Sequence, residues 1–271
     1  MTNDRLPGEH VAPERAGADR QRPVDLAVRS RSFGGWAGEY DRYRPTYPDV
    51  AVEHALAQAL LPITHVVDLG AGTGQLCKRL RHIDPKLAIT AVEPDERMRQ
   101  VLAANIGQER VVAGSAEQIP LPDASAEAAL AAQMWHWVDP VRACDELGRV
   151  IKPGGVLGIV WNLRDDRVPW IADLNEQVPL ADTYQWFKDH ERPTLPGNFG
   201  PIELAEFEHV QTTDVDGLAG LYSTFSVVGL REDRDDLLDT VRTFAATHPQ
   251  LAGKPTIEIP YVCKVFTAVR D

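Results

Sequence analysis

Val66-Val67-Asp68-Leu69-Gly70-Ala71-Gly72-Thr73-Gly74 sets two β-branched residues before an acid and then alternates glycine with small residues. The segment from Thr64 to Leu69 reads as a buried strand. It ends in a turn without Cβ atoms, where a ligand can lie directly on the backbone. A helix beginning near Gly74 points its unpaired N–H groups at the same place. Gly70, Gly72 and Gly74 give G-x-G-x-G, and Gln75 stands where a dinucleotide fingerprint has its third glycine.

Leu87-Ala88-Ile89-Thr90-Ala91-Val92-Glu93 is a second apolar run, and it too ends in an acid. A carboxylate at this point suits a ribose, because it accepts hydrogen bonds from two neighbouring hydroxyls. The alternative for Glu93 is a charge at a helix N-terminus, ahead of Pro94-Asp95-Glu96.

Together with Gly114-Ser115-Ala116-Glu117 and Lys152-Pro153-Gly154-Gly155, these stretches resemble the class I S-adenosylmethionine-dependent methyltransferases. Within that superfamily the chain is most similar to the small-molecule type 11 group. The resemblance spans roughly Phe33 to Leu163. It implies an α/β fold with a Rossmann-like, doubly wound sheet of seven strands, the last of them antiparallel. It also implies S-adenosyl-L-methionine as cofactor and methyl transfer to a metabolite. The cofactor would lie on Asp68, Gly70, Ala71, Gly72 and Gly74, with its ribose on Glu93 and its adenine near Ser115 and Ala116. Related enzymes often carry Asp where this chain has Ser115, so the Ser115 hydroxyl or backbone around Ala116 would serve instead. Tyr40-Asp41-Arg42-Tyr43-Arg44-Pro45 is similar to a stretch that folds over the cofactor end of the pocket. There Arg44 or Tyr40 would meet the methionine carboxylate, the alternative being a segment that only covers the sheet.

Open parallel sheets bind ligands beyond the carboxyl ends of their strands. That puts Gln133 and the following Met134-Trp135-His136-Trp137 opposite the cofactor's sulfonium. A base is needed only when the acceptor must lose a proton. His136 is the leading candidate, since an imidazole titrates near neutrality; between Trp135 and Trp137 it also reads as a packed histidine. Glu117, His190 and Tyr222 are further candidates. Asp139, Asn162 and Asp165 cluster too loosely to imply a metal.

The 271 residues carry 28 Lys and Arg against 40 Asp and Glu, a net charge of −12 that disfavours a nucleic-acid partner. No Asn/Asp-Pro-Pro-aromatic tetrapeptide follows the fourth strand to hold a flipped base. The composition, 44% apolar and 25% charged, is that of a globular protein with no membrane span. Cys77, Cys144 and Cys263 are odd in number and widely spaced, which reads as reduced, packed thiols in a cytoplasmic protein.

Along the chain, residues 1–31 read as a flexible tail and 32–271 as the methyltransferase domain. Helices are expected over Asp49 to Leu61, Gln75 to Ile83, Glu96 to Ile106, from Asp139 to about Arg149, and from Asp233 or Arg234 to His248. Further strands are expected over Arg110 to Gly114, Glu127 to Gln133, Val156 to Trp161, His209 to Thr213 and Ile257 to Val269. Val150 to Gly155 reads as a helix exit and turn, and Pro260 as a bulge or edge mark. An insertion at about 162–207, with Trp170, Tyr184, Trp186, Phe187 and Phe199, reads as a substrate lid or a stabilising cap. Two readings from other classes share the glycine turn: a nicotinamide-dependent oxidoreductase, and a non-catalytic adenosyl-ligand binding protein.

Overall fold

A computed structural model describes residues 33–178, 192–229 and 231–271. The tail read over 1–31, together with Tyr184, Trp186, Phe187 and His190, lies outside the described residues.

Strand β1 (His65–Leu69) pairs in parallel with β2 (Ala88–Val92) on one side and β4 (Ala126–Ala132) on the other. The two-residue β3 (Val111–Val112) follows β2, and β5 (Ile151–Arg164) follows β4, again in parallel. The last strand, β7 (Ile257–Val269), inserts antiparallel between β5 and β6 (Glu203–Thr213), giving the order β3-β2-β1-β4-β5-β7-β6. This is the seven-stranded, doubly wound sheet with an antiparallel last strand that the sequence implies.

Helices α1 (Ala37–Tyr43), α2 (Asp49–Ala57), α3 (Gln75–Ile83), α4 (Glu96–Ile106) and α5 (Pro140–Val150) accompany the parallel half. Asp95 caps α4 by accepting the Met98 N–H, and Asp139 caps α5 through the N–H groups of Val141 and Arg142. Successive strand residues bury on opposite faces. Val66, Ala128 and Val156 pack with α2, α3 and α4, whereas Val67, Ala129 and Leu157 pack with α5. A third cluster joins α6 (Pro169–Gln177), α7 (Val215–Ser223), the single turn α8 (Ser226–Gly229) and α9 (Arg234–Thr247) to Ile257, Ile259 and Tyr261 of β7.

β4 is built largely from alanine, which by intrinsic preference forms helices. Strands on both sides and helices over both faces override that preference, and Ala126 and Ala128–Ala131 are fully buried. The tightness is reciprocal: a Cβ on Gly158 of β5 would lie 2.6 Å from Leu130 Cδ2.

Several boundaries differ from those read in the sequence; β3 spans only Val111–Val112 where Arg110 to Gly114 is expected. β5 begins at Ile151 rather than Val156, because Lys152-Pro153-Gly154-Gly155 forms a bulge within the strand. The β4–β5 register shifts between Ala126 and Ala128, and Gly154 has φ +81°. α2 ends at Ala57 rather than Leu61, where the Leu60 N–H turns to the Gly154 carbonyl. The insertion at about 162–207 narrows to residues 165–202, because β5 continues to Arg164 and β6 starts at Glu203. Both pair along the thirteen residues of β7. Pro260 sits one residue beyond the last β5–β7 pair, Arg164 with Tyr261, so its missing N–H faces no ladder partner on that side.

Candidate active site

The carboxyl ends of β1, β2 and β4 meet the first turns of α3 and α4, and the glycine turn forms the floor. Gly70 has φ +63°, and a Cβ there would lie 2.9 Å from Met134 Cγ, so only glycine lets the chain after β4 come this close. Gly74, at φ +91°, caps α3 and packs against Leu102, where a Cβ would meet Cδ1 at 2.7 Å. Gly74 therefore fits helix to helix and does not line the cavity, unlike Gly70, Ala71 and Gly72.

Two chambers share a wall of Tyr40, Gly70, Gly72, Ala132 and Gln133. The larger, of about 530 Å³, is lined by Glu93 to Glu96, Met98, Ser115 to Glu117, Met134, Trp137 and Val138. The smaller, of about 30 Å³, is enclosed by Arg44, Pro45, Tyr47, Asp68, Ala71, Thr73, Gln75 and Leu76 in addition to the shared wall.

Glu93 follows β2 and is buried. Its Oε2 accepts the Gly72 N–H at 2.8 Å and its Oε1 the Asp95 N–H at 2.9 Å, so one carboxylate ties the glycine turn to the start of α4. Burial raises its pKa above the usual range, and each oxygen keeps a lone pair for a further donor. Asp95 is the residue that caps α4, and Glu93 holds its N–H from just ahead of the helix.

Asp68, the penultimate residue of β1, is almost fully buried and accepts a hydrogen bond from Cys77 Sγ at 2.9 Å. Burial pushes its pKa up to about 7, and the Glu93 charge acts in the same direction. Across the small chamber, Arg44 donates from Nε to Thr224 Oγ1 at 2.8 Å and from Nη2 to the Thr224 carbonyl at 2.9 Å. Its guanidinium lies 4.4 Å from the Phe225 ring centroid and 4.9 Å from that of Tyr40. Among the described residues no carboxylate pairs with Arg44. Asp68 and Arg44 thus line one small chamber, a carboxyl group and a guanidinium in the same wall.

Gln133 has φ +57°, a strained conformation for a residue with a side chain, and belongs to the wall of both chambers. Its Nε2 donates to the Asn162 carbonyl at 2.9 Å. Asn162 in turn donates to the Thr46 carbonyl and meets His209 Nε2 at 2.9 Å. Ser115 opens a tight turn that closes on Gln118 through both backbone groups, and Ala116 is buried beside it.

His136 lies on a 3₁₀ turn, Trp135–Trp137, with its ring centroid 4.6 Å from that of Trp137. Trp137 and Met134 line the large chamber, whereas His136 is not among the lining residues. Glu117 lines the chamber while accepting the Asp139 N–H. Tyr222 is buried beneath Arg164, which donates to its hydroxyl. Asp139 serves as the α5 cap and Asp165 pairs with Arg167, away from Asn162's partners. Met134 and Trp137 line the chamber from the segment that the sequence places at the carboxyl edge of the sheet, whereas the wall contributed by Met98 and Val138 was not anticipated.

Comparison with known proteins gives a consistent result. A family model described as a methyltransferase domain matches residues 67–159. A Mycobacterium tuberculosis protein named as an uncharacterized methyltransferase is 40% identical over 240 residues, covering 86% of this chain and 93% of the relative. A methyltransferase-like protein of Schizosaccharomyces pombe is 30% identical over 252 residues, covering 89% and 96%. A solved structure from Anaeromyxobacter dehalogenans, named for a type II methyltransferase, is 25% identical with a TM-score of 0.59. It covers 84% of this chain and 98% of that one.

Proposed function

The chain belongs to the class I S-adenosylmethionine-dependent methyltransferases of the type 11 group, and from that premise we propose that it methylates a small-molecule acceptor, with its cofactor lying across both chambers. One observation carries the reading. The two chambers share a single wall, with the Glu93 carboxylate, suited to a ribose, lining one and Asp68 and Arg44, suited to the two ends of an amino acid, lining the other.

The residues fit the ligand group by group. Glu93 presents lone pairs to ribose hydroxyls, and Ser115 and Ala116 line the end where an adenine would sit. Asp68 faces an α-ammonium and Arg44 an α-carboxylate. When bound, the cofactor supplies a methyl group on an already activated sulfonium. What remains for the protein is alignment and exclusion of water. Tyr40 roofs both chambers, Gln133 fixes the partition through its tie to β5, and Trp137 and Met134 supply apolar wall. Where the acceptor must shed a proton, His136 is the proposed base, standing between these two wall residues in sequence.

The small-molecule assignment is supported by the acidic charge of −12, which repels a phosphate backbone. Three buried free cysteines support a cytoplasmic enzyme, and among the described residues no helix is long and apolar enough to cross a membrane. The oxidoreductase and non-catalytic readings have no relative among those compared above, whereas the methyltransferases have all of them. Incubation with methyl-labelled cofactor and a metabolite extract tests the proposal. Label should enter the small-molecule fraction; label confined to added protein or RNA would overturn it.

A further inference from the structure

Asp41 lines neither chamber, yet side chains from two helices converge on it. Its Oδ1 accepts from Gln75 Nε2 at 3.0 Å, Lys78 Nζ at 2.8 Å and Asn105 Nδ2 at 3.0 Å. Gln75 Nε2 also donates to the Asp41 backbone carbonyl at 2.7 Å, one of the orphan acceptors at the end of α1. Asn105 Nδ2 reaches the Thr73 carbonyl at 2.8 Å as well, so the cluster includes the glycine turn itself. One carboxylate therefore fastens α1 to α3, to α4 and to the floor of the cavity.

The residues beside it on α1 are those that close the cavity. Tyr40, one position before, belongs to the shared wall, and Arg44, the C-cap of α1, encloses the small chamber. The other side of α1 is fastened separately, to α7, α9 and β6. Glu39 Oε2 accepts from Ser223 Oγ at 3.1 Å and Arg234 Nη2 at 3.2 Å, and Gln211 Nε2 donates to the Tyr43 carbonyl at 2.9 Å. The Asp41 cluster spans from this cover to the glycine turn. With α1 in place the small chamber holds about one water molecule, far less than an amino-acid moiety requires. A ligand end entering there displaces the groups that close the chamber, and two of them, Tyr40 and Arg44, are carried by the helix that Asp41 holds.

We propose that Asp41 is a positioning residue that holds Tyr40 and Arg44 over the small chamber and sets the rate at which the adenosyl cofactor enters and leaves. This rests on the reading that the cofactor's amino-acid end occupies that chamber. A single partly exposed ion pair would contribute little. Here three donors from two helices share one oxygen, so the contacts break together when α1 moves.

Stopped-flow measurement of S-adenosylhomocysteine binding to the full chain tests this, with Asp41→Ala, Asp41→Asn and Lys78→Met beside the native protein. Asp41→Ala should speed both association and dissociation about tenfold, with the equilibrium constant changing less than either rate. Asp41→Asn keeps an acceptor and should fall between native and Ala. Lys78→Met removes one donor far from the chamber wall and should shift both rates the same way by a smaller factor. A merely structural Asp41 would lower the melting temperature and slow or leave unchanged the association, and that result overturns the proposal. If Asp41→Ala does not fold, Lys78→Met and Asn105→Ala decide by the same criterion. A native protein that binds no S-adenosylhomocysteine would remove the cofactor reading first. Native binding with unchanged exchange in the variants would remove the latch alone.

Discussion

Asp68 is buried in the lining of the small chamber, where its carboxyl accepts a hydrogen bond from Cys77. An ordinary aspartate titrates at 3.8, and burial raises this one to about 7. Between roughly pH 4 and 7 the folded chain keeps a proton that the unfolded chain has released. Stability is therefore highest at the acid end of that window and falls as pH rises through it. Glu93, also raised by burial, acts in the same direction. Asp68→Asn should flatten this dependence and raise the melting temperature of the ligand-free protein at pH 8, by about 2–4 °C for each kcal/mol recovered. Melting curves across pH check it, and a lower melting temperature for the variant would contradict it. The same charge should make S-adenosylhomocysteine bind more tightly as pH rises toward about 7, a trend Asp68→Asn should lose. Glu93→Ala should weaken that ligand by about 1.5–3 kcal/mol if its hydrogen bonds are charge-assisted. Unchanged affinity in a calorimetric titration would detach Glu93 from the ribose. His136→Ala should lower turnover while leaving cofactor affinity near normal; full activity would make His136 a packing partner of Trp137 and nothing more.

Among the elements, those organised around the glycine turn were legible because their chemistry is local. An acid-ended apolar run, glycines at fixed spacing, and Asp95 and Asp139 as caps each act within a few residues of themselves. Elements set by distant partners were less legible. β6 begins six residues before the expected His209, because the intervening Glu203, Glu206 and Glu208 belong to an edge strand, where charge discourages pairing with other chains and hides the strand signal. α7 was not anticipated at all, since Gly217 and Gly220 are poor helix formers. The structure supplies the reason for Gly220: a Cβ there would lie 2.6 Å from the Tyr43 ring, so the glycine makes room for α1. Gly220→Val should push α1 away from α7 and destabilise the chain by about 1–3 kcal/mol. Its effect should appear both in thermal melting and as weaker S-adenosylhomocysteine binding. A stable variant with native affinity would show that α1 does not depend on this contact.

At the scale of the whole molecule, three apolar clusters divide the labour. Two flank the sheet and fix the strand ends from which the glycine turn, Glu93 and Gln133 project. The third holds α6, α7 and α9 against the distal half of β7, and α1 bridges from that layer to the glycine turn. The seven strands and the antiparallel finish were legible through the family resemblance that the motifs carry, whereas the strand order came from the structure. The partition of the site into two chambers was not, because it depends on Tyr40, Gln133 and Gly70 meeting from segments far apart in sequence. On the proposed function these chambers together hold one adenosyl cofactor. Calorimetric titration of the native chain with S-adenosylhomocysteine and, in parallel, with NAD should give saturable, one-to-one binding of S-adenosylhomocysteine and no heat from NAD. Binding of NAD with silence from S-adenosylhomocysteine would overturn that function.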